Sequence, residues 1–153
     1  MIENKNSFQE RARRSRVVSD FKQAITFLTE QLVQSRAPWK LRIRGCAYRY
    51  LALLGQPEEC VPNPQEQQEL LQEEIARLNQ SVQDIEEALR LNPRDLYAVM
   101  ERASVRVQSG RIAEARVDIA RALEINPSSM YHVDQVDGFH LVTDECSISL
   151  CRI

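Results

Sequence analysis

The apolar residues at the start of this chain recur at helical spacing. From Phe8 to about Ser35 they are separated by steps of four and three, which places them on one face of a helix: Val17, Phe21, Ile25, Leu28 and Leu32. The pattern ends at Ala37, because a residue that precedes proline is pushed out of the α region. We therefore predict a first helix over about 8–35, preceded by a polar, frayed start.

Two further helices follow in the pattern. Pro38 suits the first turn of a helix that runs from about Trp39 to Leu54, and prolines within 56–64 indicate a loop. The next helix, 65–91, carries a narrow heptad-like stripe: Leu71, Ile75, Leu78, Val82, Ile85 and Leu89. The stripe continues through 79–81, which favours one continuous helix; the alternative is a break in which Ser81 caps a second helix.

The remaining pattern predicts two short helices and a tail of different character. Helices are expected over 94–109 and 111–125, with a turn at Gly110. Beyond Pro127, two stretches at 131–133 and 139–143 are typical of a hairpin around an Asp-Gly turn at 137–138, and 146–153 alternates like a third strand. We therefore expect an all-α domain over 1–127 and a short β-like tail over 128–153 that packs on the helices.

Two segments repeat each other 34 residues apart. Residues 85–93 read IEEALRLNP and residues 119–127 read IARALEINP. This is the period of the tetratricopeptide helix-turn-helix repeat. Residues 96–127 resemble that family at positions of its second helix and its turn: Ala115, Ile119, Ala122, Pro127 and Gly110. The helix at 39–54 keeps two positions of the family's first helix, Gly45 and Tyr48.

The resemblance implies a short right-handed solenoid of antiparallel helical hairpins, whose first helices line a concave groove. The implied groove residues are Trp39, Arg42, Cys46, Arg49 and Tyr50 on one helix, and Tyr97, Met100, Ser104, Val107 and Gln108 on the other. The spacing within each set independently places it on one helical face. Trp39 and Tyr97 could equally pack against a neighbouring helix, whereas Arg42 and Arg49 are expected in the groove or in solvent, because arginine is rarely buried unpaired.

Charge is unevenly distributed along the chain. Residues 1–56 carry 11 Lys/Arg against 4 Asp/Glu, and residues 57–91 carry 2 against 9. The basic clusters at 11–16 and 36–49 could bind a polyanion such as nucleic acid. The simpler interpretation is that they face the acidic helix at 65–91. We favour the latter and consider nucleic acid an unlikely partner, since the sequence pI is about 5.8.

Little in the sequence indicates catalysis or metal binding. The chain has two histidines, both in the tail, and no phosphate-binding glycine loop. The spacing of His132, His140, Cys146 and Cys151 matches no zinc-finger pattern. We therefore expect no enzyme activity, cofactor, metal or small-molecule substrate. Four scattered cysteines and no apolar run near 20 residues predict a cytoplasmic protein without a membrane span.

These observations favour a protein-protein interaction module. The expected role is an adaptor, an assembly factor or a chaperone-like protein that binds a peptide segment in the groove, with aromatic anchors and oriented arginines. Two alternatives stay open. One is polyanion binding through the N-terminal arginines. The other is a self-associating scaffold, in which the stripe at 71–89 is buried in a homodimer.

Overall fold

The computed structural model describes residues 5–55, 63–129, 139–144 and 147–152, with side chains over 12–55 and 63–128. In these ranges the chain forms five α-helices: α1 (Lys5–Gln34), α2 (Pro38–Leu54), α3 (Pro64–Leu91), α4 (Leu96–Gln108) and α5 (Ile112–Ile125). A short 3₁₀ turn, Pro127–Ser129, follows α5. The predicted helices are all present, and their ends differ from the prediction by three residues at most.

Short polar side chains and one glycine set several helix ends. Asn63 caps α3 by accepting a hydrogen bond from the backbone N–H of Gln65 at 3.1 Å. Asp95 caps α4 in the same way, accepting from the N–H of Ala98 at 3.2 Å. The turn between α4 and α5 places Gly110 at a φ of 75°. Glycine adopts this left-handed conformation without steric cost, so the predicted turn has a physical basis.

The continuity of α3 confirms the favoured interpretation of its sequence. Ser81 lies within α3 and is fully buried. Its hydroxyl donates a hydrogen bond to the backbone carbonyl of Gly45 in α2 at 2.6 Å. The serine therefore joins α3 to α2 and does not cap a separate helix. Gly45 permits this close approach, because a Cβ atom there would lie 2.8 Å from Cγ1 of Ile85.

The five helices pack as a bundle in which each helix contacts the next one, and α2 also contacts α4. The largest fully buried aliphatic side chains come from α2, α3 and α4: Leu41, Ile85, Val99 and Val105. Complete burial of one such side chain contributes about 1.5–3 kcal/mol. The core therefore lies between the two hairpins α2–α3 and α4–α5.

The two hairpins repeat the same buried ion pair. In the first, Arg44 donates to both carboxylate oxygens of Asp84, at 2.7 Å each. In the second, Nη2 of Arg102 donates to Oδ1 of Asp118 at 2.6 Å, and Nη1 of Arg106 donates to Oδ2 of Asp118 at 2.5 Å. The two aspartates are 3% and 1% exposed. Asp84 and Asp118 are 34 residues apart, at equivalent positions of the sequence repeat. The two hairpins therefore share a buried contact between their helices as well as a sequence pattern.

The first half of α3 extends past the end of α2. The guanidinium of Arg77 lies 3.4 Å from the carbonyl oxygen of Leu51, which places Arg77 beside the last turn of α2 and the beginning of α3 beyond the end of α2. On this half Leu71 and Ile75 are 53% and 49% exposed, whereas Leu78 is 7% exposed. The predicted apolar stripe is thus buried only from Leu78 onward.

In the described part of the tail, residues 139–144 and 147–152, the chain forms an antiparallel pair of strands, β1 (Phe139–Asp144) and β2 (Ser147–Arg152). Phe139 lies opposite Arg152, and Asp144 lies opposite Ser147. The strand predicted within 146–153 is therefore present and pairs with the stretch directly before it. The predicted strand at 131–133 and the Asp-Gly turn at 137–138 lie outside the described residues. The packing of the tail on the helices stays a prediction.

Candidate functional site

The predicted groove residues lie on the two helices α2 and α4, which contact each other. Trp39 and Tyr97, in the first turns of these helices, are 51% and 60% exposed. Ile43 follows Trp39 by one turn on the same side of α2 and is 41% exposed. We call these three residues the aromatic edge. Ile43 was not among the groove residues implied by the sequence.

Arg42 connects α2 with α4 beside the aromatic edge. Its guanidinium carbon lies 5.4 Å from the centre of the Tyr97 ring, within cation–π range. Its Nε atom lies 3.2 Å from Asp95 Oδ2, and the contact is an ion pair without hydrogen-bond alignment. The side chain of Asp95 is 12% exposed. The position of Arg42 is therefore fixed from two sides, by a carboxylate and by an aromatic ring.

Arg49 is buried, which corrects the expectation that it lies in the groove or in solvent. The residue is 5% exposed. Its Nε donates to Glu101 Oε2 at 2.9 Å, and its guanidinium lies 4.4 Å from the centre of the Tyr50 ring. Burial disfavours the charge, but Glu101 outweighs this effect and raises the pKa of Arg49. Arg49 can be buried because α4 supplies an opposite charge.

Tyr50 and Cys46 are α2 residues whose side chains face neighbouring helices: Tyr50 faces α1, and Cys46 faces α4. The ring of Tyr50 stacks on Phe21 of α1, with the ring centres 5.3 Å apart and the planes 5° from parallel. Both positions are partly buried. Burial, with a smaller contribution from Glu101, raises the pKa of the Cys46 thiol to about 12. The thiol is therefore protonated at neutral pH, which does not suit a nucleophile or a metal ligand.

The α4 residues beyond Tyr97 face the interior more than the groove. Met100 packs against both core clusters around α4, and Val107 packs against the cluster that contains Ile119. Ser104 is 8% exposed, and its hydroxyl donates to the carbonyl oxygen of Met100. Gln108 Nε2 is buried without a hydrogen-bond partner. Of the predicted groove residues on α4, only Tyr97 presents a large exposed surface.

The positive charges of α2 are largely compensated by acids on α3 and α4. Arg44 pairs with Asp84 of α3, and Arg42 and Arg49 pair with the α4 acids described above. Arg36, just before α2, donates to Glu87 of α3 at 2.6 Å. Sequence reasoning anticipated the acids of α3 but missed Asp95 and Glu101. These are the two acids between residues 95 and 108, a signal that was present in the sequence.

No protein-family model, curated protein or solved structure matches this chain significantly. Over the part of the chain that the structure describes, no helix is long and apolar enough to cross a membrane. Among the same residues, no group of three or more His, Cys, Asp or Glu side chains is placed to hold a metal ion. The side chains of His132, His140, Cys146 and Cys151 lie outside the described part.

Proposed function

We propose that this chain is a protein-interaction module that binds an apolar segment of another protein on the aromatic edge. The observation that carries the proposal is the exposure of Trp39, Ile43 and Tyr97 on two adjacent helices. Tryptophan and tyrosine are the side chains that most often dominate binding energy at protein interfaces. Large apolar side chains that are half exposed at neighbouring positions mark interaction sites more often than isolated ones do.

The arrangement of the helices supports the same proposal. The 34-residue repeat and the contact between α2 and α4 are compatible with the tetratricopeptide-like hairpins expected from the sequence. In such an arrangement the first helices of successive hairpins line the concave side. The aromatic edge would then form one end of a groove between α2 and α4. The proposed roles are an adaptor, an assembly factor or a chaperone-like protein.

Charge indicates what kind of segment this surface suits. Arg42 and Arg49 already have carboxylate partners on α4, so they contribute little net positive charge to the face. A partner is therefore held by apolar contacts with the aromatic edge, and its backbone or polar groups can approach Arg42. Polyanion binding has less support, because three arginines of α2 pair with carboxylates, so it would depend on exposed cations of α1 such as Arg13 and Arg16.

Selection from a peptide library tests the proposal while the natural partner is unidentified. Random 12-residue peptides are selected on the wild-type chain, and the dissociation constant of an enriched peptide is measured for the Trp39→Ala and Tyr97→Ala variants. Each truncation removes an anchor, and we expect at least about thirtyfold weaker binding, since interface hot spots cost about 2 kcal/mol or more and about 1.4 kcal/mol is a factor of ten. Val117→Ala is the control, because Val117 is 67% exposed on α5, outside the aromatic edge.

Two results would contradict the proposal. One is a selected peptide that binds wild type and both aromatic variants with the same affinity. The other is selection of acidic peptides only, with affinity that falls steeply between low and moderate salt and depends on Arg13 and Arg16. The second result would instead support the polyanion alternative.

A further inference from the structure

We propose that the segment bound on the aromatic edge carries an aspartate or glutamate close to its apolar anchor, and that this carboxylate contacts Lys40. The inference rests on the proposed function and specifies the chemistry of the partner. Lys40 follows Trp39 in the first turn of α2, and its Nζ atom lies 5.8 Å from the centre of the Trp39 ring. A positive charge therefore lies at the rim of the half-exposed indole.

The charge of Lys40 has no carboxylate partner among the described side chains. Its ammonium group donates to two backbone carbonyls, those of Gln31 in the last turn of α1 and Ser35 just after it, at 3.3 Å each. Both acceptors are uncharged, and an ammonium group has three N–H donors. One donor and the charge of Lys40 therefore stay available to a ligand.

The other cations around the start of α2 do not reverse this balance. Arg36 donates to Glu87 at 2.6 Å, and Arg90 lies 3.6 Å from the second oxygen of the same carboxylate. The side chains of these two arginines are 65% and 72% exposed. Arg42 is balanced by its own carboxylate on α4. With Lys40, four cations thus face two carboxylates, and an acidic ligand would offset the surplus of positive charge.

The geometry of the edge indicates where the acid lies in the bound segment. Lys40 contacts the end of α1, whereas Tyr97 belongs to α4, and α2 lies between these two helices. A segment that covers Tyr97 and Trp39 therefore continues toward Lys40. An extended chain advances about 3.3–3.6 Å per residue, so the 5.8 Å from Nζ to the ring centre corresponds to about two residues. In a helical segment, residues three or four positions apart span a similar distance.

The peptides selected on the wild-type chain test the inference. We expect the enriched peptides to carry an acid within about four residues of an apolar anchor. The dissociation constants of one such peptide, and of a counterpart whose acid is replaced by its amide, are then measured with wild type and Lys40→Gln. At low salt, loss of either charge should weaken binding by about fivefold, the upper value of an exposed ion pair. Loss of both charges should cost no more than loss of one, and the effect should shrink as salt is added.

Lys22→Gln is the matched control, because it removes the same charge from an exposed position of α1 and should leave the affinity unchanged. The inference would be overturned by enriched peptides without acids, or by an amide peptide that binds wild type as tightly as the acidic one. The second comparison changes only the peptide, so it holds even if Lys40→Gln damages the fold. An equal effect of Lys22→Gln would show a response to net charge and not to Lys40, and would also overturn the inference.

The inference and the proposed function fail separately. If Trp39→Ala and Tyr97→Ala weaken binding but the acidic and amide peptides bind alike, the aromatic edge is the binding surface and only the assignment of an acidic partner is wrong. If the two aromatic variants bind the selected peptide as wild type does, the proposed function itself fails.

Discussion

Replacement of Asp118 by asparagine tests the buried ion pair that joins α4 to α5. Asp118 is 1% exposed and accepts hydrogen bonds from two guanidinium groups, those of Arg102 and Arg106. Asp118→Asn keeps the size of the side chain but removes its charge. Both arginines then lose their buried carboxylate, and the new amide group directs N–H donors toward other donors. We expect a large loss of stability, because an uncompensated charge is left in a partly buried site.

The structure sets the size of this loss. Removal of one partner from a buried ion pair costs about 3–5 kcal/mol. The side chains of Arg102 and Arg106 retain 16% and 13% exposure, so water can reach part of each guanidinium. We therefore expect the lower end, about 3 kcal/mol. For a chain of this size, 1 kcal/mol lowers the melting temperature by about 2–4 °C, so Asp118→Asn should lower it by roughly 6–12 °C.

Thermal and urea unfolding followed by circular dichroism measure the effect. Glu114→Gln is the matched control on the same helix, because the side chain of Glu114 is 46% exposed and pairs at the surface with Arg111 and, at 3.7 Å, with Arg106, so its loss should not produce a comparable shift. Asp84→Asn should fall between the two variants, since Asp84 is equally buried but faces one paired arginine. A loss below about 1 kcal/mol for Asp118→Asn, the value of an exposed pair, would refute the reasoning.

Three further outcomes follow from the described contacts. Gly45→Ala should destabilise the chain by about 1–3 kcal/mol in urea unfolding, despite alanine's higher helix propensity, because the new Cβ would meet Ile85. Gly110→Ala should cost only about 1–2 kcal/mol of backbone strain, since no atom lies within 4 Å of its Cβ position. In a variant whose only cysteine is Cys46, alkylation of the thiol at pH 7 should be about a thousandfold slower than for a thiol with a pKa of 9.0. The alkylation rate should rise as the pH approaches the thiol pKa of about 12. Ordinary reactivity at pH 7 would contradict the burial of the thiol.

The sequence predicted the helices well because their signals are local. Apolar spacing, prolines and the glycine at position 110 located all five helices within three residues. The continuity of α3 could be predicted for the same reason, since its stripe passes through Ser81 without a change of period. The strands Phe139–Asp144 and Ser147–Arg152 were both visible in the sequence, but the sequence analysis did not assign a partner to the second, because strand pairing depends on more than the preference of Asp-Gly for turns.

The candidate site could be predicted only in part, because its contacts join distant segments. Helical spacing placed Trp39 and Arg49 on the same face of α2, yet one is 51% and the other 5% exposed. The difference arises from Glu101, which is 52 positions away from Arg49 and reaches it only through the packing of α4 on α2. Likewise, the period of α3 could not show that Leu71 and Ile75 stay exposed while Leu78, on the same stripe, is buried.

The fluorescence of Trp39 is the most direct measure of the proposed binding surface, since Trp39 is the single tryptophan of the chain. A peptide selected on the wild-type chain is titrated while emission and quenching by acrylamide are recorded. If the aromatic edge binds the peptide, the half-exposed indole becomes covered, its emission shifts to shorter wavelength and acrylamide quenches it less. Saturable binding of the peptide with no change in either signal would show that the peptide occupies another surface, and would contradict the proposed function.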